Sequence, residues 1–277
     1  METIWVFDEL GTKIHQRDLT MLLASAKLWS IHCPQDTRVL YYKGSLGYTL
    51  ENLGIPRVFN KVISLSTLPD FHVDSSVFWA YPKLRVLSQV DKPVTLVDHD
   101  FITFCNLREY VDPDKICYHY TEDARQYYPS NFDPLVKQLS YKTRWPDLSA
   151  NVSFLQLPDP AFTRFYAGVS LQIMEEFSEL KAPNAKYLIF AEQMVLKHLM
   201  EGQEYQSLLK EIYECKTESF SEDRKDENGI FSWRDAFWKK FIHYGPLKKR
   251  WNPMEFKREM NFLCDVAGFD LKILRKV

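Results

Sequence analysis

Two carboxylates one residue apart, Asp98 and Asp100, close the apolar run Pro93-Val94-Thr95-Leu96-Val97, and Phe101-Ile102 resume it at once. An apolar run with β-branched members suits a central strand covered on both faces. Carboxylates at its carboxyl end stand where open α/β sheets bind ligands. Two hard oxygen donors there suit Mg²⁺ or Mn²⁺ already holding a diphosphate, because these ions keep positions open for phosphate oxygens. The plainer alternative is that both residues cap a strand or enter a turn, where Asp is common. A bare Asp-x-Asp does not choose between the two. His99, between the two carboxylates, is expected to face the opposite side by strand alternation and to stand outside any metal set.

Other residues could join that chemistry. Asp8 ends the apolar run Ile4-Trp5-Val6-Phe7, where a strand end could cradle a nucleotide base. Lys83 follows Pro82, which fits a first helical turn, and lies 15 residues before Asp98. A lysine near a helix start favours phosphate; the alternative is a solvated helix lysine. Glu192 and Gln193 fall on an apolar helix expected over Phe190 to Met200, as either reacting groups or helix-surface residues. His243 opens a late segment, His243-Tyr244-Gly245-Pro246-Leu247-Lys248-Lys249-Arg250-Trp251, and is otherwise a surface loop histidine. Trp79, Tyr81, Tyr166 and Trp233 could stack on a sugar or base.

The elements that must position these residues alternate. Strands are expected at Ile4–Phe7, Arg38–Tyr42, Lys61–Leu65, the Pro93 run, Ile116–Tyr120 and Val152–Leu157, with Gly168–Met174 a further strand candidate or already helical from Ile173. Asp18 caps an amphipathic helix to about His32, carrying Leu19, Leu22, Leu23, Ala26 and Trp29 at helical spacing. A short helical turn at Leu50–Leu53 closes on Gly54. The region from Tyr127 to Leu148 reads as irregular, Ser219 to Gly229 as an exposed loop, and Met254 onward as a basic-apolar helix. Strands alternating with helices predict an α/β fold, a mostly parallel central sheet flanked by helices with a helical C-terminal part.

Bulk properties exclude several classes. A formal charge of −2 gives no electrostatic case for nucleic acid. The five cysteines are scattered with no Cys-x-x-Cys pair, against a zinc knuckle or redox motif and in favour of reduced thiols. The N-terminus lacks the pattern of a signal peptide, and no run reaches the length of a membrane span. A cytoplasmic protein is expected. The basic, aromatic C-terminal region could meet anionic lipid at the inner face of the membrane or a lipid-linked acceptor. A solvated basic helix balancing acidic loops is the favoured reading.

Lys83 before the Asp98-His99-Asp100 run, then Glu192-Gln193, then the His243 to Trp251 segment form an order that resembles GT-A glycosyltransferases. The resemblance is to family 8, the glycogenin and lipopolysaccharide galactosyltransferase group, and Phe78-Trp79-Ala80-Tyr81-Pro82-Lys83 also resembles uncharacterised bacterial transferases of this type. It covers roughly residues 1 to 251 at the level of motifs. It implies a Rossmann-like GT-A domain over 1–277, with a nucleotide-binding half over 1–150 and an acceptor-side half with C-terminal helices over 151–277. It further implies Asp98, Asp100 and His243 on Mn²⁺ (or Mg²⁺), and Lys83 on the donor phosphates or sugar. Asp98 would also reach the ribose. His243, Lys249 and Trp251 keep the family's offsets, while Gly245 and Pro246 come one residue early and Arg250 replaces a proline. Whether Lys248 or Lys249 holds the diphosphate therefore stays open.

The resemblance implies transfer of a hexose from a nucleotide sugar, a UDP-sugar foremost, to a saccharide or lipid-linked acceptor. Glu192 and Gln193 would lie beside the anomeric carbon with retention of configuration; an inverting route with Glu192 as base stays open. Two other readings compete. One is a non-catalytic nucleotide- or sugar-binding module of the same fold. The other is a phosphohydrolase resembling the haloacid dehalogenases, built on Asp8; there Leu10 stands where the second Asp of that motif belongs.

Overall fold

A computed structural model describes residues 1–8, 15–44, 46, 50, 58–74, 77–123, 148–179, 190–201, 212–214, 241–243 and 253–269, with backbone alone at 120, 122, 123, 148, 179, 190, 201, 212–214, 241–243, 253, 255, 256 and 259. The expected turn closing on Gly54, nearly all of Tyr127 to Leu148, the Ser219 to Gly229 loop, Trp233, and the segment with Lys248 and Lys249 lie outside these residues. In chain order the elements are β1 (Glu2–Asp8), α1 (Gln16–His32), β2 (Thr37–Lys43), β3 (Lys61–Ser64), α2 (Tyr81–Leu87), β4 (Val94–Val97), β5 (Phe101–Thr103) and β6 (Ile116–Asp123). There follow β7 (Leu148–Leu157), α3 (Pro160–Glu179), a π-turn (Phe190–Met194), α4 (Val195–Glu201), β8 (Ile212–Glu214), β9 (Phe241–His243) and α5 (Pro253–Ala267). The architecture is α/β, a mixed, mostly parallel sheet with flanking helices, as the alternation predicts.

The chain divides into two compact units, Met1–Ile63 with Leu96–Val111 and Cys215–Val277, and Ser64–Thr95 with Asp112–Glu214. In the first unit β1 and β2 pair in parallel from Glu2 opposite Thr37 to Asp8 opposite Lys43. Parallel neighbours need a crossover, and α1 supplies it. Gly44, at φ 87°, turns the chain out of β2 in a conformation that side chains with a Cβ resist.

Asp18 is not the cap of α1. The helix begins at Gln16 after His15, with no side-chain cap, and Asp18 lies inside the first turn, where a carboxylate still meets the positive end of the helix dipole. Nor is α1 apolar on one stripe alone, because every residue from Leu19 to Ala26 is buried. It is covered on two sides. The indole of Trp5 in β1 donates to Ser25 at 3.0 Å, while Met21, Ala24 and Leu28 pack with Ile102 of β5 and Met260, Leu263 and Ala267 of α5. Helix α5 ends in a Schellman turn: Phe269 N donates to Cys264 O at 2.8 Å and Gly268, at φ 71°, to Asp265 O at 3.2 Å.

In the second unit β6 pairs antiparallel with β7 and parallel with β8, with a bulge between Tyr118 and Tyr120. Gly168–Met174 is not a strand. It lies within α3, where Phe162, Tyr166, Ala167, Ser170, Leu171, Met174 and Phe177 are buried at three- and four-residue spacing. A seven-residue window hides that longer period. Pro82 sits in the first turn of α2, as expected.

A clamp fixes α2 to the loop before it. The Tyr81 phenol donates to Asp70, and the Arg85 guanidinium donates to the carbonyls of Leu65, Leu68 and Pro69 at 2.9 to 3.2 Å. Burial first, and the bond to Asp70 second, push the Tyr81 phenol up to about 12 from an ordinary 10. The neutral phenol is thus favoured by the fold. Its contribution is complete below about pH 10 and is lost as the pH rises toward 12. In an alkaline titration followed by tyrosinate absorbance, Asp70→Asn is expected to bring one late-titrating tyrosine back toward 10; an unchanged curve would disprove the clamp's effect.

Candidate active site

The Asp98 region is built differently from a continuous strand. β4, buried along its whole length, ends at Val97; Phe101 N donates back to Asp98 O at 3.0 Å, closing a tight turn, and β5 then belongs to a separate two-stranded sheet. Asp98, His99 and Asp100 therefore occupy a turn, and strand alternation does not orient His99. Its ring instead meets Phe7 edge-on at 5.6 Å, and its Nε2 lies 3.8 Å from Asp18 Oδ1. Phe7 is the penultimate residue of β1 and His99 the second past β4, so the two strands bring their carboxyl ends to the same edge. Asp8 ends β1 at that edge, with its Oδ2 3.9 Å from Lys43 Nζ. Asp98 is half-buried and Asp100 is 3% exposed.

A buried chain of hydrogen bonds holds the exit of this turn. Trp5 Nε1 donates to Ser25 Oγ, which donates to the Phe101 carbonyl at 2.6 Å. Ser25 is a site-supporting residue that the sequence does not reveal. Its only signal is a lone hydroxyl in the apolar stretch Leu22 to Trp29, where an unpaired hydroxyl would be costly.

His243 reaches the same strand pair from far along the chain. β9 pairs antiparallel with β5, and His243 lies in register opposite Phe101, the residue after Asp100. Its side chain lies outside the described residues, as do Lys248 and Lys249. Among the described residues no three His, Cys, Asp or Glu side chains gather closely enough to hold a metal ion. By donor chemistry, two carboxylates and an imidazole suit Mn²⁺ better than an all-oxygen Mg²⁺ set.

The second unit joins two of the other candidates. Lys83 Nζ donates to Glu192 Oε1 at 3.2 Å, with Lys83 mostly buried and Glu192 3% exposed. Neither is a solvated helix-surface residue. The helix expected from Phe190 begins as a π-turn carrying Glu192 and Gln193, then becomes α4; such turns insert an extra residue and recur at functional sites. Gln193 is half-buried. Of the candidate stacking aromatics, Trp79 is 44% exposed and available. Tyr166 and Tyr81 are buried, with phenols bonded to Glu192 O and to Asp70, so neither can stack on a ligand.

In the C-terminal helix Lys257 and Arg258 are exposed, which fits both the solvated and the lipid-contact readings. Among the described residues no helix is long and apolar enough to cross a membrane. Cys33, Cys105, Cys117 and Cys264, all among the described residues, form no disulfide with one another.

No family model matches the chain, and no curated protein matches it by sequence. Solved structures do. The galactosyltransferase LgtC, crystallised in complex with donor and acceptor sugar analogs, is 11% identical over 97% of this chain and 95% of its own, with a TM-score of 0.49. The glycosyltransferase GlyE of Streptococcus pneumoniae TIGR4 is 13% identical over 99% of this chain and 62% of its own, also at 0.49. Mouse xyloside xylosyltransferase 1 is 11% identical over 88% and 97%, at 0.44.

Proposed function

We propose that this chain is a GT-A-type glycosyltransferase that moves a hexose from a nucleoside diphosphate sugar, a UDP-sugar foremost, to a saccharide or lipid-linked acceptor. One observation carries the reading. β5, which starts at Phe101 directly after the Asp98–Asp100 turn, pairs with β9 so that the backbone of His243 lies opposite Phe101, although the two segments are far apart in the chain. A metal set of two carboxylates and one imidazole needs that meeting.

Asp98, Asp100 and His243 would hold Mn²⁺ or Mg²⁺, which when bound offsets the charge that builds on the leaving diphosphate without proton transfer. Lys248 and Lys249 follow β9 closely and would add cations for the same phosphates. Asp8 would accept a hydrogen bond from the base. Lys83 would hold the donor, with Glu192 and Gln193 as the catalytic pair. A carboxylate already holding an ammonium is better placed to orient a donor than to take a proton from an acceptor, which favours retention over inversion.

The test is thermal stability with UDP, with and without Mn²⁺. Saturation at about 100 times the dissociation constant adds roughly 2.7 kcal/mol, and a shift of about 5 to 10 °C is expected only when both are present. A screen of nucleotide sugars for Mn²⁺-dependent hydrolysis then names the donor. No metal-dependent shift with any nucleoside diphosphate would remove the transferase reading and leave a module without this chemistry.

A further inference from the structure

Tyr166 is wholly buried in α3, stacked on Phe162 one turn earlier with ring centroids 6.5 Å apart. A buried phenol needs a partner for its proton. Its partner is not another residue of α3 but the main-chain carbonyl of Glu192 in the π-turn, at 2.9 Å. A π-turn displaces carbonyls from the regular helical ladder, and a fixed donor from a neighbouring helix compensates that loss. The same residue's carboxylate holds Lys83 at 3.2 Å. One side chain thus grips the main chain of the residue whose side chain grips the lysine.

We propose that Tyr166 is a positioning residue: its hydrogen bond to the Glu192 carbonyl locks the π-turn in the form that keeps the Glu192 carboxylate on Lys83. Burial first, and the Glu192 charge second, hold the phenol well above its ordinary value, so it remains a donor at every pH at which the protein works. The ion pair itself is read from the geometry; its role in donor binding rests on the proposed transferase function.

The experiment reads Lys83 directly, so it stands even if the transferase reading fails. Lys83 is labelled with an amine-acylating reagent across a pH series, and its modified peptide is quantified by mass spectrometry in the wild-type chain, Glu192→Gln, Tyr166→Phe and Tyr118→Phe. Glu192→Gln removes the anion and is expected to lower the midpoint of Lys83 labelling, because an ammonium without its carboxylate gives up its proton more readily. Tyr166→Phe keeps the ring and its stacking, and is expected to move the midpoint at least halfway to that of Glu192→Gln, with other lysines unchanged. Tyr118→Phe, which removes a buried phenol that accepts from Lys197 of α4 and bonds to neither Glu192 nor Lys83, is expected to leave Lys83 as in the wild type. A Tyr166→Phe midpoint equal to the wild type overturns the proposal, and so does an unmoved Glu192→Gln.

Amide hydrogen exchange on the unmutated chain gives a second reading that does not depend on a variant folding. Protection across Phe190–Met194 equal to that around Tyr166 supports the lock, and fast exchange confined to the turn overturns it. Nucleotide-sugar turnover is assayed beside these measurements. Its absence in the wild type counts against the transferase function alone.

Discussion

Asp100→Asn is expected to lower Mn²⁺-dependent cleavage of the nucleotide sugar by about a thousandfold, roughly 4 kcal/mol of transition-state stabilisation. The melting temperature should remain near that of the wild type. Asn matches Asp in size and can keep neutral hydrogen bonds, so the turn between β4 and β5 survives. What is lost is the negative charge that, under the proposed function, would hold a divalent ion against a diphosphate. Asp100 is the stronger choice of the two carboxylates because it is 3% exposed, whereas Asp98 is half-buried and its carbonyl closes the turn through Phe101. Release of nucleoside diphosphate, followed against Mn²⁺ concentration, checks this. Activity within threefold of the wild type would take Asp100 out of the metal set.

Arg108→Met should cost about 3 to 5 kcal/mol of folding stability, a large part of the 5 to 15 typical of a domain. The cause is Asp36, which is 4% exposed. Its Oδ2 accepts from Thr3 and from the Trp29 indole at 3.0 Å each, and from Arg108 at 2.6 and 3.1 Å. The guanidinium also lies over the Trp29 ring at 5.7 Å. Removing it leaves a buried carboxylate with two neutral donors and only the Met1 ammonium, 3.5 Å from its Oδ1, as counter-charge. Urea unfolding should show a lower midpoint at an unchanged slope, since the surface exposed on unfolding is the same. Adding Asp36→Asn to Arg108→Met should recover part of the loss, because the poorly compensated charge goes with it. A single-variant loss below 1 kcal/mol would mean that water, not Arg108, solvates Asp36.

The same cluster shows why tertiary burial changes the meaning of a charge. Nothing near Asp36 in the sequence sets it apart from an ordinary turn aspartate; Thr3, Trp29 and Arg108 come from three elements. The Lys83–Glu192 pair follows the same logic. Each residue alone reads equally well as helix surface, and only the packing that brings α2 and the π-turn together makes them a buried pair. The strand candidate at Gly168–Met174 failed for a related reason. Its apolar run is dense enough to fit either period, and the length of the helix from Pro160 to Glu179 decides.

The sequence by itself determined the alternation of strands and helices from β1 to β4, because apolar period and Pro82 act locally; it left Gly168–Met174 open between strand and helix and marked neither β8 nor β9. It offered Asp98 and Asp100 as a carboxylate pair, and the resemblance to family 8 glycosyltransferases added His243 to them as an expected metal set. Only the tertiary structure decided that Asp98 and Asp100 lie in a turn between two sheets and not on one strand. It alone placed the backbone of His243 opposite Phe101, and set His99 against Phe7 and Asp18. The physical reason is that strand pairing is a long-range contact, chosen by hydrogen-bond register and by the packing of α1 and α5 on Ile102. Phe101 and Ile102 follow Asp100 directly, but the partners that place them come from distant parts of the chain.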